Sequence, residues 1–124
     1  MGTNYYVYLK DRNERVHIGK RSMGWSFLFA QNLSYYKNTK ASVNRFLKLH
    51  KNEFYDEYGE LQDINKFWEM VENTSSGYNL MSYLKFEQEV EGRDISQSEW
   101  NRAKREIISE DGCNLIFTPN PDFS

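Results

Sequence analysis

The chain has 124 residues, with 16 Lys+Arg against 18 Asp+Glu and a formal net charge of -2 at pH 7. That length fits a single domain over 1–124 that buries its own core without staples. The near-balanced charge excludes a globally basic polyanion binder but leaves room for a local basic patch. Aromatics make up 16% of the residues, so much of the core is expected to be aromatic. Cys113 is the single cysteine, which excludes an internal disulfide and a thiolate cluster for zinc. A reducing, cytoplasmic setting is expected from that, and from "MGTNYYVYLK", which lacks the basic-then-apolar layout of a secretory leader. No stretch approaches the roughly 20 apolar residues of a spanning helix, so no membrane partner is expected. Gly2 does not open a myristoylation motif, because Tyr6 stands where that motif wants Ser or Thr.

In chain order, "YYVYLKDRNERVHIG" reads as a hairpin: Tyr5 to Leu9, a polar turn over Lys10 to Glu14, then Arg15 to Ile18. "WSFLFAQ" (Trp25 to Gln31) is a third strand, with Trp25, Phe27 and Phe29 on one face by period two. Gly19 and Gly24 then bound a connection carrying Lys20, Arg21 and Ser22. "ASVNRFLKLH" is helical, with Asn38 or Thr39 as its cap. "EFYDEYGEL" is a short extended piece that turns at Gly59. "DINKFWEMVEN" is an amphipathic helix capped by Asp63, with Ile64, Phe67, Trp68 and Val71 on its apolar face. "TSSG" breaks the chain, and "LMSYLKFEQEV" fits helix better than strand.

The helix in "SQSEWNRAKREIISEDG" has Ser96 and Glu99 at capping-box spacing. Trp100, Ala103, Ile107 and Ile108 are expected on its apolar face, and Gly112 at its close. "NLIFT" (Asn114 to Thr118) is a final strand, followed by a short tail over 119–124. The fold class is therefore α+β: a small, mostly antiparallel sheet, made of an N-terminal three-stranded meander plus a C-terminal strand, with three to four helices packed on it.

"TNYY" at Thr3 to Tyr6, "HIGK" at His17 to Lys20, Ser22, "GW" at Gly24–Trp25, and Phe27 together form a pattern. It resembles a family of small, largely uncharacterised bacteriophage and prophage proteins. Further matches lie in "DEYGE" (Asp56 to Glu60) and in the closing "NLIFTPNPDFS". Many such relatives carry C-x-x-C in the first hairpin turn. Here that turn is "KDRNE", so the resemblance implies a zinc-free variant held by its turn and by aromatic cross-strand pairs. It implies a phage origin and supplies no activity. "YYVYLKDRNERVHIG" is also similar to the opening of GIY-YIG nucleases, with Tyr6-Val7-Tyr8 and His17-Ile18-Gly19 in the two slots. His17 replaces the second tyrosine, and the segment after the connection reads as strand rather than as a helix opened by arginine.

The candidate ligand-binding residues are His17, Lys20, Arg21, Ser22 and Trp25. Lys20, Arg21 and Ser22 are phosphate donors, Trp25 offers a stacking face, and His17 suits an acid, a base or an anchor. The first expectation for these residues is a structural one: a glycine-bounded connection with Trp25 packed in the core and His17 shielded and hydrogen-bonded. No catalytic set, cofactor site or metal-ligand set is assigned. The acidic segments "EFYDEYGE" and "EQEVEGRD" read as solvated surface, His50 as a helix end, and Cys113 as a small buried residue. The leading expectation is a phage-encoded accessory protein that binds a host or phage protein through Tyr35, Tyr36, Phe54, Tyr55 and Tyr58. The alternative is nucleic-acid or nucleotide binding through Gly19 to Trp25, with a divergent GIY-YIG-like nuclease as its catalytic form.

Overall fold

The computed structural model describes residues 2–119. The tail expected over 119–124 lies, after Pro119, outside the described residues.

The N-terminal hairpin forms. β1 (Gly2–Leu9) and β2 (Glu14–Ser22) pair antiparallel, joined by one turn of 3-10 helix at Lys10–Arg12. β3 (Leu28–Ala30) pairs antiparallel with β2 and completes the meander. β4 (Phe54–Asp56) adds to the outer side of β1. At the other end β6 (Ile116–Thr118) lies parallel to β3, and β5 (Ile107–Ile108) closes the sheet antiparallel to β6. The strand order is β4-β1-β2-β3-β6-β5. Among the described residues, four helices complete the fold: α1 (Lys40–Leu49), α2 (Ile64–Asn73), α3 (Leu80–Glu89) and α4 (Gln97–Lys104).

Each helix start follows from a short polar side chain that takes a free backbone N–H of the first turn. Thr39 accepts from Ser42, Asp63 from Lys66, and Ser96 from Glu99, whose carboxylate answers Ser96 in the expected capping box. α3 opens on Asn79 and Ser82 in the same reciprocal arrangement.

Alternation along β1 sends Tyr5, Val7 and Leu9 to a buried face. They join Val16, Ile18, Phe29, Phe54 and Phe117 from the sheet, Val43, Phe46 and Leu47 from α1, and Phe67 and Val71 from α2. Phe67 is the hub, its ring 5.4 Å from Tyr5, 5.3 Å from Phe27 and 5.0 Å from Phe54. All three contacts are edge-on, the arrangement that ring quadrupoles favour. The core is aromatic, as the composition requires.

Four sequence expectations are corrected. The last helix ends at Lys104, and Ile107 and Ile108 form β5 instead of its final turn. β-branched residues in pairs suit a strand, and β6 offers them an antiparallel partner. Gly112 therefore serves the β5–β6 connection, with φ 76°, and not a helix close. Cys113 is exposed in that connection, not buried. Tyr36 and Phe54 are core residues, 3% and 0% exposed, and are unavailable to a partner.

Candidate functional site: a cleft between the sheet and the α3–α4 pair

The largest correction concerns the stretch from Gly19 to Trp25. β2 runs through to Ser22, with Lys20 opposite Asn4 and Arg21 opposite Thr3. Lys20, Arg21 and Ser22 are thus strand residues, not loop residues, and the connection shrinks to a turn at Met23–Gly24. Trp25 N–H closes it on Ser22 O at 3.1 Å. Gly24 takes φ 83° at the third position of that turn, which glycine reaches without strain.

Strand alternation then splits the candidates. Lys20 and Ser22 project to one face and Arg21 to the other. Arg21 lies against Tyr5: burial pushes the Tyr5 phenol up, and the Arg21 guanidinium opposes that shift. His17 shares the face of Lys20 but sits further along the sheet. Its Nε2 lies 2.9 Å from Asn4 Oδ1 and 3.2 Å from Gly19 O. A backbone carbonyl only accepts, so Nε2 carries the proton and donates. The ring also stacks on Tyr6 at a centroid separation of 5.0 Å. His17 is partly shielded and hydrogen-bonded, as the structural reading expects. A bulge makes this possible: Tyr6 pairs with His17 and Tyr5 with Gly19, so Ile18 is skipped in the register.

Trp25 does not enter the main core. It is half-buried, bridged to Tyr78, with its ring 4.9 Å from Tyr83 and 6.1 Å from Tyr78. The chain from Gly24 to Phe27 is laced to the α2–α3 connection. Tyr78 N–H donates to Gly24 O at 3.0 Å, Ser26 N–H to Tyr78 O at 2.9 Å, and Phe27 N–H to Thr74 Oγ1 at 2.8 Å. Gly77 lies so close to Trp25 and Ser26 that any Cβ there would overlap their backbone. This lacing brings α3, and with it α4, over the sheet face that carries Lys20. The buried side chains Leu84 of α3 and Ala103 of α4 stand outside the main aromatic cluster.

A cleft of about 770 Å³ remains between the two layers, within the size range of small-molecule sites. Lys20 and Ser22 line its sheet side over a floor that includes Leu28 and Ile116. Trp25 and Tyr78 line it from the turn and the α2–α3 connection, and Arg102, Arg105 and Glu106 from the other wall. The cations Lys20, Arg102 and Arg105 outnumber the carboxylates Glu99 and Glu106. Glu99 is committed elsewhere, pairing with Arg93 at 3.0 Å and accepting Ser96 N–H, and these contacts hold its carboxyl below the usual range. Glu106 accepts Leu80 N–H at 2.8 Å at the start of α3. Burial pushes the Glu106 carboxyl up, against the Leu80 bond and the Arg102 charge.

Of the five sequence candidates, the cleft brings together Lys20, Ser22 and Trp25, and leaves out His17 and Arg21. It adds Arg102, Arg105 and Glu106, which the sequence reading assigned only to a helix. Their spacing of three puts Arg102 and the capping residue Arg105 on one side at the end of α4, but nothing local says which layer that side meets. Among the described residues, no group of three or more His, Cys, Asp or Glu is placed to hold a metal ion. Among the same residues, no helix is long and apolar enough to cross a membrane. The fold and site define a mixed α/β domain with a ligand-sized cleft. Comparison with protein-family models, curated proteins and solved structures finds no match to this chain.

Proposed function

We propose that the protein is a binding module whose ligand carries a phosphate and a flat ring, the chemistry of a nucleotide or of a nucleic-acid strand. One observation carries this reading: Arg102 of α4 and Arg105, the residue that caps its C-terminus, share a cleft with Lys20 of β2, the half-buried ring of Trp25 and the exposed ring of Tyr78. Guanidinium groups bind phosphate oxygens in a bidentate geometry, and an indole face stacks any base. The test is a tryptophan-fluorescence titration with nucleoside monophosphates and short oligonucleotides, with Trp25→Phe identifying the reporting ring. Binding should weaken with salt, as phosphate contacts require, and Arg102→Ala plus Arg105→Ala should reduce it at least tenfold. Flat titrations at low salt would remove the reading. Product on a gel after adding Mg²⁺ or Mn²⁺ would make it a nuclease of the GIY-YIG kind rather than a binder.

A second reading keeps the phage-encoded accessory protein that acts on a host or phage protein in the bacterial cytoplasm. What supports it, beside the N-terminal pattern, is the surface around β4. Tyr58 and Leu61 are 73% and 55% exposed, next to a shallow hollow lined by Tyr6, Tyr8 and Tyr55. Aromatic residues on an open rim suit protein contact. A partner captured by the wild type and lost with Tyr58→Ala plus Leu61→Ser would support it. Equal capture by both would contradict it.

A further inference from the structure

The proposed cleft holds a group that a phosphate site does not require: the carboxylate of Glu106, which, unlike Glu99, is in no ion pair among the described residues. We infer that Glu106 reads the edge of the bound ring and selects guanine, in a free nucleotide or at the end of a strand. The inference rests on the nucleotide reading above and adds a base preference to it.

Glu106 is held from the start of α3. The isolated bridge between Trp25 and Tyr78 places the start of α3 directly after the stacking ring. Leu80, two residues past Tyr78, donates its N–H to Glu106 Oε1 at 2.8 Å. The carboxylate is therefore pinned to the start of α3, in the cleft that Trp25, Tyr78 and Leu80 also line. Among the described residues, its second oxygen takes no hydrogen bond.

A carboxylate only accepts, and each of its oxygens accepts twice. Guanine offers two adjacent donors on its pairing edge, N1–H and the N2 amino group. Adenine offers one donor beside the N1 lone pair, and cytosine one donor beside the N3 lone pair. A carboxylate against either of those edges faces a lone pair, whereas against guanine it meets hydrogens at both positions. Reading a stacked base by its pairing edge is a general mode of base recognition. A site built to satisfy a polar edge rejects an analogue that cannot pair with it, because the buried group is left unpaired. Arg102 and Arg105, in the same cleft, serve the phosphate.

The experiment compares GMP with AMP, and an oligothymidylate carrying a terminal guanine with the same strand carrying adenine. Wild type and Glu106→Gln are both titrated. The Gln variant keeps an acceptor for Leu80 N–H, and its melting temperature checks the fold. The wild type should bind GMP at least tenfold more tightly than AMP, and Glu106→Gln should cut that ratio to within twofold while retaining phosphate-dependent binding. A guanine preference seen only in the oligonucleotide pair would make a strand end the ligand, and one seen in both would admit the free nucleotide. Equal binding of guanine and adenine ligands by the wild type would overturn the guanine inference and leave the cleft reading standing. An unchanged preference in Glu106→Gln would overturn the role of Glu106. Absence of binding by every probe would overturn the cleft reading itself, and this inference with it.

Discussion

Asp111 Oδ2 accepts the backbone N–H of Lys40 at 2.7 Å, across 71 residues of chain, and that of Ala41 at 3.4 Å. Thr39 Oγ1 takes the next free donor, Ser42 N–H, at 3.2 Å. The β5–β6 connection thus supplies an anion to the first turn of α1, where the helix dipole favours one. This single carboxylate links the far edge of the sheet to a helix of the main core.

Asp111→Ala should cost about 1 kcal/mol, the usual scale of a lost cap. Burial raises the Asp111 pKa, but the N–H groups of Cys113, Lys40 and Ala41 outweigh it, and the net shift is downward. A folded pKa below the unfolded one gives stability that is present above the ordinary carboxylate pKa and lost as pH falls through the folded value. Urea denaturation at neutral pH should separate the variant from the wild type. That gap should close below about pH 4, the ordinary aspartate range.

Gly19→Ala should be among the most damaging small substitutions. Its Cβ would overlap the Leu28 carbonyl oxygen, which is fixed backbone, and the Phe27 ring. Overpacking of this kind costs about 3 kcal/mol or more where the neighbour cannot yield. Gly24→Ala meets no atom within 4 Å and carries only the strain of φ 83°, on the order of 1 kcal/mol. Denaturant midpoints of the two variants should therefore differ clearly, and equal midpoints would contradict the close packing at Gly19.

Phe67→Ala should cost about 3–5 kcal/mol, the range for emptying a buried aromatic site. Trp25→Ala should cost less, about 1–2 kcal/mol, because only part of its surface is removed from water. An equal loss in both would put Trp25 back into the main core, where the sequence reading expects it.

The helices that period and caps announce start where expected, whereas the period-two strand expected over Trp25 to Gln31 shrinks to Leu28–Ala30, because Trp25 and Ser26 are drawn to the α2–α3 connection. The apolar spacing of Ile64, Phe67 and Val71 defines one face of α2, and Asp63, Thr39 and Ser96 mark helix starts because a free N–H needs a nearby oxygen. Helix ends are less visible. Ile107 and Ile108 continue the apolar pattern of α4 at helical spacing, and only the partner strand β6 draws them into the sheet. The candidate site is half legible for the same reason. Lys20, Ser22 and Trp25 are close in sequence and remain neighbours in the fold. Arg21 lies between them but faces Tyr5, since a strand alternates its side chains where a loop would not. Arg102 and Glu106 join the site only because Gly77 and Tyr78 bind the Trp25 turn, a contact between segments about 50 residues apart that no local pattern encodes.

The central claim is that the cleft under α4 is the ligand site. Backbone amide shifts on adding a nucleoside monophosphate at low salt test it most directly. Perturbations should gather on Lys20 to Trp25, on Tyr78 to Leu80 and on Arg102 to Glu106, and should vanish when Arg102 and Arg105 are both alanine. Shifts confined to Tyr55 through Leu61, or none at saturating nucleotide, would contradict it.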